Sequence, residues 1–212
     1  MNPKDWRTYL VTQQSLSAGR DTASVVESAL DGGVDVVQLR EKGVDARTRY
    51  RLGVRLRELT DEASAALIVN DRIDLAKAVA ADGVHLGQSD LPVEVARDQL
   101  GPDAVIGASV STVREAEVAA AAGADYLGVG AVYGTSSKDV DAAKDGIGTE
   151  RIREIVNAVD VPVFGIGGID ADNAGDVVAA GADGVAVISA ITAADEPEAA
   201  ARTLTEVVED AR

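Results

Sequence analysis

Cysteine is absent from this 212-residue chain and histidine occurs once. Those two absences exclude disulfides, cysteine nucleophiles, thiolate metal sites and multi-histidine zinc sites. Any metal chemistry must therefore use oxygen ligands. No apolar run reaches the ~18 residues that a membrane span requires. No basic, apolar, small-residue leader opens the chain, so no signal peptide is expected and the expected location is cytoplasmic. Basic side chains are few: 36 acidic against 20 basic residues leave a net charge of −16. That charge repels polyanions and argues against a nucleic-acid or anionic-membrane partner. Aromatics make up only 3% of the chain and lysine is scarce beside arginine. With the acidity, this composition reads as adaptation to high salt, where screening weakens self-repulsion. Scarcity also gives position a meaning, because two of only five lysines, Lys42 and Lys138, fall inside polar motifs.

What is present is an apolar fraction of 46%, enough to bury one sizeable core. Short β-branched runs alternate with helix-length amphipathic stretches, the pattern of a parallel sheet covered by helices. Strands are expected near Tyr9 to Thr12, Val34 to Arg40, Ala66 to Asn70, Gly83 to Leu86, Val105 to Ser109, Tyr126 to Val129, Val161 to Ile166 and Gly184 to Ile188. The punctuation before several of them repeats: Asp31-Gly32-Gly33-Val34-Asp35, Ala81-Asp82-Gly83-Val84, Ala122-Gly123-Ala124-Asp125-Tyr126 and Ala180-Gly181-Ala182-Asp183-Gly184. Each reads as a helix stop feeding a strand, with glycine in the left-handed cap. Thr112-Val113-Arg114-Glu115 is a capping-box candidate. The expected fold is α/β, a single-domain (β/α)8 TIM barrel of eight parallel strands over residues 1–212; an open doubly wound sheet also fits the pattern.

An α/β barrel carries its active site at the carboxyl ends of the strands, and polar residues gather at nearly every such end. The second strand ends Gln38-Leu39-Arg40-Glu41-Lys42, where period-2 alternation places Gln38, Arg40 and Lys42 on one side. Asn70-Asp71 ends the third strand and Gly87-Gln88-Ser89-Asp90 follows the fourth, so two carboxylates converge. Paired acids without cysteine or histidine partners suit a hard cation such as Mg²⁺; helix N-capping by Asp71 and Asp90 is the alternative. His85 lies inside the fourth strand and reads as a structural residue before a catalyst. Ser109 meets a phosphate or caps the helix beginning near Ser111. The loop from Gly130 to Lys138 is rich in hydroxyls and small residues, suited to wrapping oxyanions or to an exposed surface turn. Gly128 to Tyr133 misses the dinucleotide-binding glycine pattern. Gly165-Ile166-Gly167-Gly168-Ile169 and Val187-Ile188-Ser189-Ala190-Ile191 end the last two strands, where barrel enzymes often bind a substrate phosphate. Two anion sites facing each other imply two phosphorylated groups. With no cysteine and no clear acid–base pair, the chemistry should rest on stabilising a phosphate leaving group.

In order along the chain, Gln38 to Lys42, Val69-Asn70-Asp71, His85 to Asp90, Thr135 to Lys138, Gly165 to Ile169 and Ile188-Ser189 closely resemble the motif series of thiamine-phosphate synthases. The resemblance covers strands two to eight. It implies that Gln38 contacts the pyrimidine side, while Arg40, Lys42, Asn70, Ser109 and Lys138 hold a hydroxymethylpyrimidine diphosphate. Arg40, Lys42 and Lys138 would carry catalysis by stabilising the departing diphosphate. Asp71 and Asp90 would ligate Mg²⁺. Thr135, Ser136, Ser137, Gly168, Ile188 and Ser189 would surround a thiazole phosphate. The partners implied are these small molecules, and a homo-oligomer is compatible with the sequence. The family commonly has Pro-Thr-x-Thr-Lys where this chain has Gly134-Thr135-Ser136-Ser137-Lys138. Proline to glycine loosens the loop, threonine to serine keeps the hydroxyl, and no charge is lost. A thiazole tautomerase-like barrel would not need the diphosphate or metal residues retained here. A non-catalytic thiamine-phosphate sensor would need binding without turnover, and a sugar-phosphate isomerase would show a clearer acid–base pair.

Overall fold

The computed structural model describes residues 2–134 and 146–212. Eight strands follow one another around a closed barrel: β1 (Thr8–Val11), β2 (Val36–Leu39), β3 (Ala66–Asn70), β4 (Gly83–Leu86), β5 (Val105–Val110), β6 (Tyr126–Gly130), β7 (Val163–Ile166) and β8 (Gly184–Val187). Every neighbouring pair is parallel. β1 also pairs with β8, at Tyr9↔Ala186, which closes the sheet and removes the open-sheet alternative. Around it run α1 (Thr22–Asp31), α2 (Ala46–Ala63), α3 (Ile73–Ala78), α4 (Val93–Leu100), α5 (Val113–Ala121), α6 (Gly148–Val156), α7 (Ala174–Ala179), the short α8 (Ser189–Thr192) and α9 (Pro197–Ala211). The last helix shows the pattern plainly: Pro197 starts it, and Ala201, Leu204, Thr205 and Val208 are buried at helical spacing. No helix among the described residues is long and apolar enough to cross a membrane.

The repeated punctuation forms the same device several times. After α1, Gly33 adopts φ +91, its N–H donates to Leu30 O, and Val34 N–H donates to Ala29 O. This double closure satisfies the last helix carbonyls. It also claims Val34, so β2 begins two residues later than the alternation suggests. Gly123 and Gly181 repeat the geometry after α5 and α7. After α3 the left-handed position belongs to Ala80, at φ +51, and not to a glycine. Gly83 is no cap; it lies in β4, where a side chain would run into the Val105 carbonyl. Thr112 caps α5 by accepting Glu115 N–H, and the Glu115 carboxylate accepts the N–H and hydroxyl of Ser111.

The aspartates of that punctuation have a second task. Asp35 accepts the N–H groups of Arg7 and Thr8, Asp82 that of Leu67, Asp125 that of Ile106 and Asp183 that of Val163. Each carboxylate before an even-numbered strand thus ties down the backbone of the odd-numbered strand beside it. Arg7, Arg57 and Arg97 pair with the first three at 2.6–3.0 Å.

Inward-facing strand residues fill the barrel. Trp6, Tyr9, Tyr126 and Phe164 cluster near its amino-terminal end, with Tyr126 and Phe164 edge to face at 5.7 Å. Outward-facing residues such as Leu10, Val37, Leu67, Val84, Leu127 and Val185 join the helices in the larger core. The scarce aromatic rings are therefore concentrated where the barrel must be plugged.

Candidate active site

The carboxyl ends of β2, β3 and β4 bring the predicted charges together. Arg40 follows β2 and is buried; its guanidinium donates to Gln13 Oε1 at 2.7 Å and its N–H to Thr12 Oγ1 at 3.0 Å. Lys42 is exposed on the next turn. Asn70 ends β3 in register with His85. Asp71 then takes the left-handed region, φ +63, and donates its N–H to His85 O at 2.9 Å. Aspartate tolerates this conformation better than most side chains. Its carboxyl meets that of Asp90, which accepts Gly87 N–H at 2.6 Å. Burial first, then the hydrogen bond and charge of Asp90, push the Asp71 carboxyl up to about 6, against the opposing pull of Lys42 and Arg40. Neither aspartate caps a helix, since Arg72 and Pro92 occupy the N-cap positions of α3 and α4.

Across the mouth, a cavity is bounded by the ends of β5 to β8. Ser109, Gly128, Gly168, Ile188 and Ser189 line it, joined by Gln88 from the β4 side. Gly167 and Gly168 lie at φ +104 and +65. A methyl group on Gly168 would sit 2.4 Å from the Gly134 carbonyl, so the turns after β6 and β7 pack only because no side chain intervenes. Ser189 begins α8 at the cavity wall. Thr135, Ser136, Ser137 and Lys138 lie outside the described residues.

Gln38 is buried in the barrel and, like Arg40 and Lys42, is not among the residues that line the cavity of β5 to β8. Its Nε2 donates to the Tyr9 hydroxyl at 2.7 Å, which meets Tyr126 Oη at 2.8 Å. Tyr126 Oη lies 3.0 Å from His85 Nδ1, and His85 Nε2 lies 2.8 Å from Ser109 Oγ. Sequence reasoning missed Tyr9 and Tyr126; two tyrosines at inward strand positions of an aromatic-poor chain were the available signal. Glu41 was read only as part of the charged run. It is buried and accepts Gln14 N–H and the Thr22 hydroxyl, fixing the loop after β1.

A closed parallel barrel, with opposed charges at the ends of three strands and a cavity bounded by the other strand ends, has the architecture of a (β/α)8-barrel enzyme. Residues 8–191 match the family model described as thiamine monophosphate synthase. The thiamine-phosphate synthase of Haloarcula marismortui is 63% identical over 98% of this chain and 99% of its own length. That of Natronomonas pharaonis is 61% identical over 97% and 96%. The solved thiamine phosphate pyrophosphorylase from Pyrococcus furiosus superposes with a TM-score of 0.90 at 41% identity, covering 99% of this chain and 98% of its own. The chain belongs to the thiamine monophosphate synthase family, and it is a transferase.

Proposed function

We propose that the protein condenses hydroxymethylpyrimidine diphosphate with hydroxyethylthiazole phosphate, giving thiamine phosphate and diphosphate. The observation that carries this reading is the meeting of Arg40, Lys42 and the Asp71–Asp90 pair at one side of a mouth whose other side is the cavity of β5 to β8. The first side suits a diphosphate with its cation and the far end of the cavity, at Gly168, Ile188 and Ser189, a phosphate ester; Ser109, on β5 beside β4, stands at the edge between them.

The Asp71–Asp90 pair fits Mg²⁺. Two carboxyls pressed together, one pushed up to about 6, form a like-charge pair that a divalent ion relieves. Among the described residues no group of three or more metal-binding side chains gathers, which suits an ion that keeps water and substrate oxygens in its shell. Bound there, Mg²⁺ would offset the negative charge of the departing diphosphate.

The chain's own groups divide the remaining work. Arg40, Lys42 and Lys138 attract the diphosphate oxygens most strongly as charge builds on them, which lowers the barrier to departure. Asn70 and Ser109 orient the same group. Loss of diphosphate leaves a pyrimidine-methyl cation, which the thiazole nitrogen captures. Gly168, Ile188 and Ser189 hold the thiazole phosphate through backbone amides, with Thr135, Ser136 and Ser137 as the further contacts the family resemblance implies, so that the nitrogen is aimed at the methylene carbon.

Incubation of the purified protein with both substrates should release diphosphate and thiamine phosphate in equal amounts. Binding of the thiazole phosphate without any product would overturn the proposal in favour of the tautomerase-like or sensor readings.

A further inference from the structure

The hydrogen-bonded series Gln38, Tyr9, Tyr126, His85, Ser109 crosses the barrel from β2 to β5, and of its five members only Ser109 lines the cavity. Tyr9 and Tyr126 are fully enclosed, and burial drives both phenols above their ordinary range, so each keeps its single proton. A hydroxyl with one proton donates once, and a neutral imidazole donates at one nitrogen and accepts at the other. With every enclosed proton given to a neighbour in the series, as buried polar groups require, the direction at one end sets the direction at the other.

The Gln38 end decides it. Its amide nitrogen donates to Tyr9, and among the described residues its buried Oε1 has no partner. The reverse orientation would strand an amide NH₂ instead, and an unmet buried donor is rarer in proteins than an under-used carbonyl oxygen. With Gln38 donating, Tyr9 donates to Tyr126 and Tyr126 donates to His85 Nδ1. His85 then carries its proton on Nε2 and donates to Ser109 Oγ. The Ser109 hydroxyl, having accepted from below, has its own proton left to give into the cavity.

We infer that this chain of side chains is a positioning relay, in which Gln38, Tyr9, Tyr126 and His85 fix the Ser109 hydroxyl as a donor toward an anionic oxygen of the substrate. The inference deepens the proposed function, since the diphosphate of the pyrimidine substrate is the anion it would serve. Gln38, Tyr9, Tyr126 and His85 act through Ser109, whatever else they touch.

The test has two arms. Because His85 is the chain's single histidine, ¹⁵N-histidine labelling yields one imidazole whose tautomer NMR reads directly, with or without activity. The expected state is Nε2–H with Nδ1 unprotonated; an Nδ1–H tautomer or an imidazolium near neutral pH overturns the inference. In the kinetic arm, Tyr126→Phe and Ser109→Ala should each lower kcat/KM for the pyrimidine diphosphate about tenfold, the scale of one hydrogen bond to a charged group. KM for the thiazole phosphate should stay unchanged, and the double variant should be no worse than Ser109→Ala alone. Multiplying losses, or Tyr126→Phe with full activity, also overturn it. If Tyr126→Phe fails to fold, Tyr9→Phe cuts the relay one bond earlier and should give the same pattern. Should the wild type form no product, the function proposal fails alone; the labelled histidine and the affinity for inorganic diphosphate, which Ser109→Ala and Tyr126→Phe should weaken equally, still judge the relay.

Discussion

At the scale of single residues, the Asp71 carboxyl shows how a site can oppose stability. Its pKa in the fold, about 6, exceeds the ordinary carboxylate value, so the fold favours its neutral form. Stability from this group is fully present below the unfolded value and is lost as pH rises through about 6. Because the group is only half-buried, solvent screening reduces the effect to about 1 kcal/mol. Asp71→Asn, which also tolerates the left-handed backbone, should therefore raise the unfolding midpoint at pH 8 in chelator and leave it unchanged at pH 3. A gain at both pH values would show that charge is not the cause. Activity should move the opposite way: Asp71→Ala and Lys138→Ala are expected to lower turnover about 10²-fold or more, the scale of lost transition-state charge stabilisation. Ser136→Ala should cost far less, and equal losses measured for all three would contradict these roles. Gly134 makes a related point. It adopts φ +82, which a proline ring forbids, so the glycine found where the family commonly has proline belongs to a different local backbone. The sequence could register that substitution but not the angle behind it.

At the scale of elements, the four strand-leading aspartates account for much of how the helices hand over to strands. Asp125→Ala would leave the buried Ile106 N–H without its acceptor and Arg97 without its carboxylate. A loss of about 1–3 kcal/mol is expected from urea unfolding. The conservative Asp125→Asn keeps an acceptor oxygen and should recover part of it. Ala80, held at φ +51 after α3, departs from the glycine pattern, as does Ser64 at φ +57 after α2. Ala80→Gly should raise stability by up to about 1 kcal/mol, because relief of the left-handed strain outweighs the added flexibility of the unfolded chain. The stops after α1, α5 and α7 were legible in the sequence because their left-handed caps are glycines, Gly33, Gly123 and Gly181. The aspartates' partners were not, since the N–H groups they meet belong to another strand and are defined only once the barrel registers. The same distance in sequence hid the relay: Tyr9 and Tyr126 lie 117 positions apart and meet only inside the closed barrel.

At the scale of the whole molecule, the eight strands and their parallel pairing were legible from alternation, whereas their sequential order and closure needed the observed pairings, β1 with β8 above all. The grouping of Arg40, Lys42, Asp71 and Asp90 at one mouth was legible for the same reason, because each follows a strand end and a barrel brings all strand ends to one face. Gln38 shows the limit of that rule; alternation placed it with Arg40 and Lys42, but its depth below the mouth depends on how the barrel interior fills. The net charge of −16 acts on the entire fold. Screening of this self-repulsion should raise the unfolding midpoint between low and molar potassium chloride, and a flat or falling midpoint would remove charge as the reason for the composition. The most direct test of the account as a whole is the rate of diphosphate release from the two substrates as Mg²⁺ is titrated into the chelated enzyme at molar salt. The rate is expected to rise from near zero to saturation, with thiamine phosphate formed in step. Product formation indifferent to the metal, or folded protein that binds both substrates and releases nothing, would contradict it.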